Sequence, residues 1–203
     1  MSEREEHWQG IYQTRDTREV SWFQEEPSVS LRLIESVADS SASVVDIGGG
    51  ASFLVDALAA RGFADLTVVD LSQRALDVVG ERLAARGVSA ALVASDVTTW
   101  RPARTFDVWH DRAAFHFMNE TNLRERYVEL AADSVAIGGA LIIATFAVDG
   151  PTHCSGIEVA RYDAPELAAV FAPHFVAVHD EREEHVTPSG AVQLFTWVVL
   201  QRV

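Results

Sequence analysis

Cysteine is almost missing from this sequence: Cys154 is the single one among 203 residues. No internal disulfide can form, and the chain suits a reducing compartment, so a cytoplasmic location is expected. No apolar run approaches the length of a membrane span, so a membrane is not an expected partner. The start, MSEREEHWQG, is charged from its second residue and does not read as a signal peptide. Basic residues are scarce too. Lys and Arg number 16 against 30 Asp and Glu, a formal charge of −14 with no dense basic run. Nucleic-acid binders need basic surface to displace counterions, so DNA and RNA are not expected partners. A neutral or cationic small ligand fits that balance better. Low-complexity tracts and internal repeats are absent, and a single domain over 1–203 is expected.

What is present is an alternation of strands and helices. A helix is expected around Glu5–Tyr12 and another over Ser28–Val37, where apolar residues recur at helical spacing. Ser43–Ile47 reads as a strand, Phe53–Arg61 as a helix stopped by Gly62, Leu66–Val69 as a strand and Gln73–Arg86 as a helix stopped by Gly87. Strands follow at Ala90–Ala94 and Phe106–His110, then a helix over Glu120–Ala136 and a strand over Ala140–Phe146. Asp163 with Glu166 reads as a capping box opening a helix over Pro165–Phe171. Phe175–Asp180 and Gln193–Gln201 then read as a closing hairpin around Thr187-Pro188-Ser189-Gly190. This rhythm predicts an α/β fold, a Rossmann-like three-layer sandwich. Its sheet has seven strands, mostly parallel, with one antiparallel strand in the C-terminal hairpin. Period-two alternation leaves Phe195 and Trp197 as either core or dimer face, so the oligomeric state stays open.

VVDIGGGAS, Val44–Ser52, places three glycines directly after the first strand. The dinucleotide fingerprint G-x-G-x-x-G fails here, because Phe53 stands where the third glycine belongs. Asp46 decides against a pyrophosphate. A carboxylate at the strand tip repels a dianion and attracts a ligand with an ammonium and a sulfonium.

D-x-G-x-G over Asp46, Gly48 and Gly50 resembles the first motif of class I S-adenosylmethionine-dependent methyltransferases. Ser52 replaces an often-present third glycine. Asp70, in LTVVDLS, stands where that family grips both ribose hydroxyls, and Asp96, in VASDVTTW, where it meets the adenine amine. The resemblance covers about Ser43 to Phe146, with the hairpin ending also fitting. It implies S-adenosylmethionine as methyl donor, S-adenosylhomocysteine as product, and a donor site of Trp22, Asp46, Gly48, Gly49, Gly50, Asp70, Leu71, Asp96, Val97 and His110. The chain then divides into an aromatic lid and helix at 1–37, a donor-binding core at 43–146, and an acceptor loop, helix and hairpin at 147–203.

FDVWHDRAAFHFM, Phe106–Met118, ends at the ligand edge of the sheet. It is similar to a V-x-D-K-G-T-x-D-A pattern of protein-lysine methyltransferases, but Arg112-Ala113-Ala114 replaces Lys-Gly-Thr. It is closer to small bacterial methyltransferases with an HDRAAFHF-type segment and an N-terminal H-W…S-W-F-Q. Asp111 and His116 are the candidates for orienting or deprotonating the acceptor. Trp8, Tyr12, Arg112 and His153 are candidates for touching it, the N-terminal aromatics acting as a lid that shields a sulfonium. His110, His116, His153 and Cys154 show no metal-ligand spacing, so no metal is expected. The expected reaction is in-line transfer of a methyl group to a small molecule. A protein lysine as acceptor, or donor binding without turnover, are the competing readings.

Overall fold

The computed structural model describes residues 3–203, with side chains from Arg4 onward; residues 1 and 2 of the expected lid lie outside them. Helix α1 (Glu3–Thr14) is followed by α2 (Ser28–Val37), which buries Ser30, Leu31, Leu33 and Ile34 on one face. Strand β1 (Ser43–Ile47), rich in β-branched residues, is buried along its whole length. Then come α3 (Leu54–Ala60), β2 (Asp65–Asp70), α4 (Gln73–Ala84), β3 (Ala91–Ala94) and β4 (Phe106–Arg112). A 3₁₀ turn at Phe115–Phe117 leads into α5 (Thr121–Ser134) and β5 (Val135–Phe146). A small hairpin, β6 (His153–Cys154) with β7 (Ile157–Glu158), precedes α6 (Ala164–Val170), β8 (Phe175–Val186) and β9 (Val192–Arg202).

The main sheet has the order β3-β2-β1-β4-β5-β9-β8. Five strands from β3 to β5 are mutually parallel, and β9 runs against both of its neighbours. The expected seven strands with one antiparallel member are therefore present. Each face carries its own core. Leu31, Ile34, Leu54, Leu58, Leu76 and Val79 of α2, α3 and α4 cover one side. Tyr127, Leu130 and Ala131 of α5, with Leu167 of α6 and Phe171, cover the other. Burying each such side chain is worth about 1.5–3 kcal/mol relative to exposure. Phe195 and Trp197 belong to the core under α2, α3 and α4 rather than to a surface face.

Several boundaries move. The helix over 120–136 stops at Ser134, and β5 starts at once at Val135, running through Gly138 and Gly139. β8 extends through Glu181–Glu184 because it is the sheet edge, where the exposed Arg182 and Glu184 face water and discourage further pairing, while Glu183 points inward. β4 runs two residues past His110 and so carries Asp111 and Arg112 inside the sheet. The capping box is present as expected: Asp163 Oδ1 accepts from Glu166 N at 2.9 Å, and Glu166 Oε2 accepts from Asp163 N at 3.3 Å.

Candidate active site

Strand order reverses beside β1, with β2 on one side and β4 on the other, which opens a crevice at the carboxyl ends. The glycine run fills that point because nothing larger fits. A Cβ on Gly48 would lie 2.6 Å from Ala114 Cβ, and one on Gly49 2.5 Å from Asp46 Oδ2. Gly50, at φ +52°, faces the hydroxyl of Tyr12, which a Cβ would meet at 2.2 Å. Arg82 of α4 secures the end of this loop. It pairs with buried Asp56 and donates to the carbonyls of Ala51 at 3.1 Å and Ser52 at 2.5 Å. Phe53 leads into α3 with the Arg82 guanidinium 4.2 Å from its ring centroid.

Three carboxylates rim the crevice at the ends of β1, β2 and β3. Asp46 is buried, with Oδ1 2.7 Å from His110 Nδ1, while His110 Nε2 lies 3.0 Å from Ser30 Oγ. Beside a carboxylate Nδ1 takes the donor role, leaving Nε2 to accept from the serine hydroxyl. Asp70 accepts from Gly50 N at 2.9 Å through Oδ2 and from Ser72 N at 2.7 Å through Oδ1. Each oxygen keeps a lone pair for one further donor. Burial pushes the Asp70 carboxyl up to about 6, against the pull of those two amides. Asp96 accepts from Thr98 N and Oγ1 at 2.9 and 2.7 Å through Oδ1, and its Oδ2 meets Arg4 of α1. Desolvation raises Asp96, but Thr98 and Arg4 outweigh it and hold the carboxyl below its usual value.

Helix α1 and the segment after it roof the crevice. Gln9 Oε1 accepts from Ser72 Oγ at 3.0 Å and Arg74 N at 3.3 Å. Trp8 packs edge-on against Trp22 and Phe117, at 5.6 and 5.3 Å between centroids. Beneath it lie two adjoining cavities. The larger has about 970 Å³ of empty space, part of it open to solvent, walled by Trp8, Asp70, Leu71, Asp96, Val97 and Phe117 among others. The smaller, about 550 Å³, lies between Asp46, Gly48, Gly49, Ser30, His110 and Phe23. Tyr12, Trp22, Gly48 and Arg112 border both.

The structure thus gathers Trp22, Asp46, Gly48, Gly49, Gly50, Asp70, Leu71, Asp96, Val97 and His110 around one crevice, with Trp8, Tyr12 and Arg112. Tyr12 sits at the glycine loop and Asp70, the end expected for the donor, rather than at the acceptor end. Three residues lie elsewhere. Asp111 is turned to the α5 face by the alternation that turns His110 and Arg112 to the other. It accepts from Ala114 N, Phe115 N and Tyr127 Oη at 2.8, 3.2 and 2.5 Å, and burial pushes it up to about 6. Nor does it form the surface ion pair with Arg112 that adjacency suggests. His116 is fully buried against Phe117 and Phe146 and lines neither cavity. Burial, then the Arg112 charge, pulls its imidazole down to about 3, so it stays neutral. His153 is exposed on β6, 2.9 Å from the Thr152 hydroxyl. Cys154 beside it is buried and borders the larger cavity. Ser30, Arg4, Gln9 and Arg82 escaped sequence reasoning. Among the described residues no three His, Cys, Asp or Glu side chains cluster as metal ligands.

The methyltransferase-domain family matches residues 44–139, the stretch that holds all three carboxylates and the glycine loop. No curated protein matches this chain. Solved methyltransferases share the fold at low identity. The N-methyltransferase NodS of Bradyrhizobium japonicum, solved with S-adenosylhomocysteine, superposes with a TM-score of 0.74 at 15% identity, covering 97% of this chain and 98% of its own. The 1,6-didemethyltoxoflavin-N1-methyltransferase of Burkholderia thailandensis, solved with its substrate and S-adenosylhomocysteine, gives 0.73 at 20%, covering 87% and 77%. A protein solved in work on converting a disulfide to a thioacetal in echinomycin biosynthesis gives 0.77 at 19%, covering 97% and 92%. The seven-strand sheet and the glycine loop are thus those of the class I methyltransferase fold, and the roof of α1 is built onto them.

Proposed function

We propose that this protein is an S-adenosylmethionine-dependent methyltransferase acting on a small molecule. The observation that carries it is the ring of Asp46, Asp70 and Asp96 around a glycine loop packed too tightly to carry side chains. That set of acceptors suits a ligand rich in N–H and O–H donors and carrying positive charge, and it repels a pyrophosphate. The donor groups already there follow the same logic: an arginine N–H at Asp96 and a tyrosine hydroxyl beside Asp70.

Bound S-adenosylmethionine supplies an electrophilic methyl group on a sulfonium. The chain's own groups do the rest. Asp96, with Leu71 and Val97 lining the same cavity, would accept from the adenine amine, and the free lone pairs of Asp70 would take the two ribose hydroxyls. Asp46, with its charge oriented by His110 and Ser30, attracts the ammonium. Trp8, Trp22 and Phe117 exclude water and present π faces to positive charge. Catalysis is then mostly positioning, because charge disperses rather than builds up during the transfer. Asp111 shapes this site from behind, by fixing the Ala114 and Phe115 amides against the glycine loop.

A small acceptor follows from the roofed cavity, whose mouth is bounded by α1 and the β6–β7 hairpin, and the toxoflavin enzyme of like fold is one that methylates a small molecule. The charge of −14 argues against a polyanionic partner. No helix among the described residues is long and apolar enough to cross a membrane. We place the reaction in the cytoplasm on the ground of one buried free thiol. Incubation with methyl-labelled donor and a cell extract tests the reading. Label in low-molecular-weight material is expected; label only in a protein band, or in nothing, contradicts it.

A further inference from the structure

Arg112 is a buried cation whose hydrogen bonds are left unmade. It ends β4 on the same face as His110, with its side chain 9% exposed and its guanidinium carbon 4.4 Å from the Phe195 ring centroid. Nη1 donates to the Trp22 carbonyl at 3.3 Å. Nε and Nη2 have no hydrogen-bond partner among the described residues. These two N–H groups lie on one edge of the guanidinium, the edge that matches a carboxylate bidentately.

The nearest carboxylate does not fill the role. Glu183 Oε2 stands 3.7 Å from Nε, beyond hydrogen-bond length. It is held there by other donors: Oε1 accepts from Gln24 Nε2 at 2.9 Å and Oε2 from Trp197 Nε1 at 2.8 Å. Glu183 therefore balances the charge from just beyond hydrogen-bond length, without completing a hydrogen bond to either of these enclosed N–H groups. A charged group with unmade hydrogen bonds is costly unless a ligand completes it. Arg112 borders both cavities; beside it lie Phe195 of β9, in the buried core, and Cys154 of β6, which lines the larger cavity. The Cys154 thiol adds no further charge there, since burial pushes it up to about 12, and burial together with the Arg112 charge keeps His116 neutral.

We infer that Arg112 anchors the methyl acceptor by an oxyanion, a carboxylate or a group of like geometry, on a small molecule whose body packs against Trp8, Trp22 and Phe117. The inference rests on the methyl-transfer reading for the identity of the ligand as acceptor. The chain carries its own selectivity filter in this arrangement: a neutral analogue of the same shape leaves Nε and Nη2 unpaired and is rejected.

The test titrates benzoate, and its neutral isostere benzamide, into full-length protein saturated with S-adenosylhomocysteine, for the wild type, Arg112→Met and Glu183→Gln. Wild type should prefer benzoate by about tenfold or more. Arg112→Met should lose that preference while its affinity for S-adenosylhomocysteine stays within about twofold, and Glu183→Gln, which removes a competing negative charge, should bind benzoate more tightly. Equal binding of the two probes by wild type overturns the inference. So does an Arg112→Met protein that loses S-adenosylhomocysteine itself, which assigns the guanidinium to the donor's own carboxylate. If Arg112→Met does not fold, Glu183→Gln decides alone, and no gain for benzoate overturns the inference. Wild type that binds no S-adenosylhomocysteine sinks the methyl-transfer reading instead, and the same two probes on the unliganded chain then judge the anion site by itself.

Discussion

Arg4 of the first helix is hydrogen-bonded to Asp96, 92 residues further along the chain, across the mouth of the crevice. The contact holds α1 over the cavity and occupies the carboxylate oxygen that we propose for the adenine amine. On the proposed reading, the donor would have to displace Arg4. The pair is partly exposed, so breaking it costs no more than about 1 kcal/mol. Arg4→Ala should therefore speed association of S-adenosylhomocysteine and tighten it by at most about fivefold. Stopped-flow fluorescence of Trp8 and Trp22 reads this directly, and slower or weaker binding would contradict the lid.

Asp70 couples binding to pH. Its carboxyl, raised to about 6, must ionise to accept two hydroxyls. Below pH 6 affinity for S-adenosylhomocysteine should fall about tenfold per pH unit. The stability of the unliganded protein follows the opposite sign. A raised folded-state pKa contributes stability that is full below the unfolded value near 4 and is lost as pH rises through 6. Asp70→Asn should flatten both trends between pH 4 and 6, as read by calorimetry and thermal melts.

Asp111 distinguishes a positioning role from a proton-transfer role. Asp111→Ala strands two backbone amides and the Tyr127 hydroxyl, and should cost about 1–3 kcal/mol. Asp111→Asn keeps an acceptor for the amides, and Tyr127 can accept from its new N–H. It should retain most of the melting temperature and of the turnover. An Asn variant that melts normally yet turns over at least about a hundredfold more slowly would make Asp111 a base.

His116 carries two ring nitrogens without partners inside a shell of Phe117 and Phe146. Replacing it by Phe removes an unmet polar burial, so the melting temperature should hold or rise. Its depressed pKa also predicts wild-type stability that falls as pH drops below about 6.5 toward 3, a loss absent from His116→Phe. A variant that melts many degrees lower would place a hidden partner at His116.

Much of this was legible from local rules. The ends of α2 and β1 and the Asp163–Glu166 cap follow from spacing and capping chemistry. The carboxylates Asp46, Asp70 and Asp96 follow from where strands end. Tertiary choices were not legible. Only pairing with Ala144 reveals that β4 continues to Arg112, and only then does alternation send Asp111 to the α5 face. The polar run Glu181–Glu184 looks like loop until it is seen as a sheet edge. Arg4, Gln9 and Ser30 have no local signature, because their partners lie 92, 63 and 80 residues away.

Calorimetry of wild type and Asp70→Ala against S-adenosylhomocysteine and NAD⁺ tests the carboxylate-lined crevice most directly. The prediction is saturable binding of S-adenosylhomocysteine, no binding of NAD⁺, and a loss of about thirtyfold in Asp70→Ala. Uptake of NAD⁺ with indifference to S-adenosylhomocysteine, or equal affinity in the variant, would contradict it.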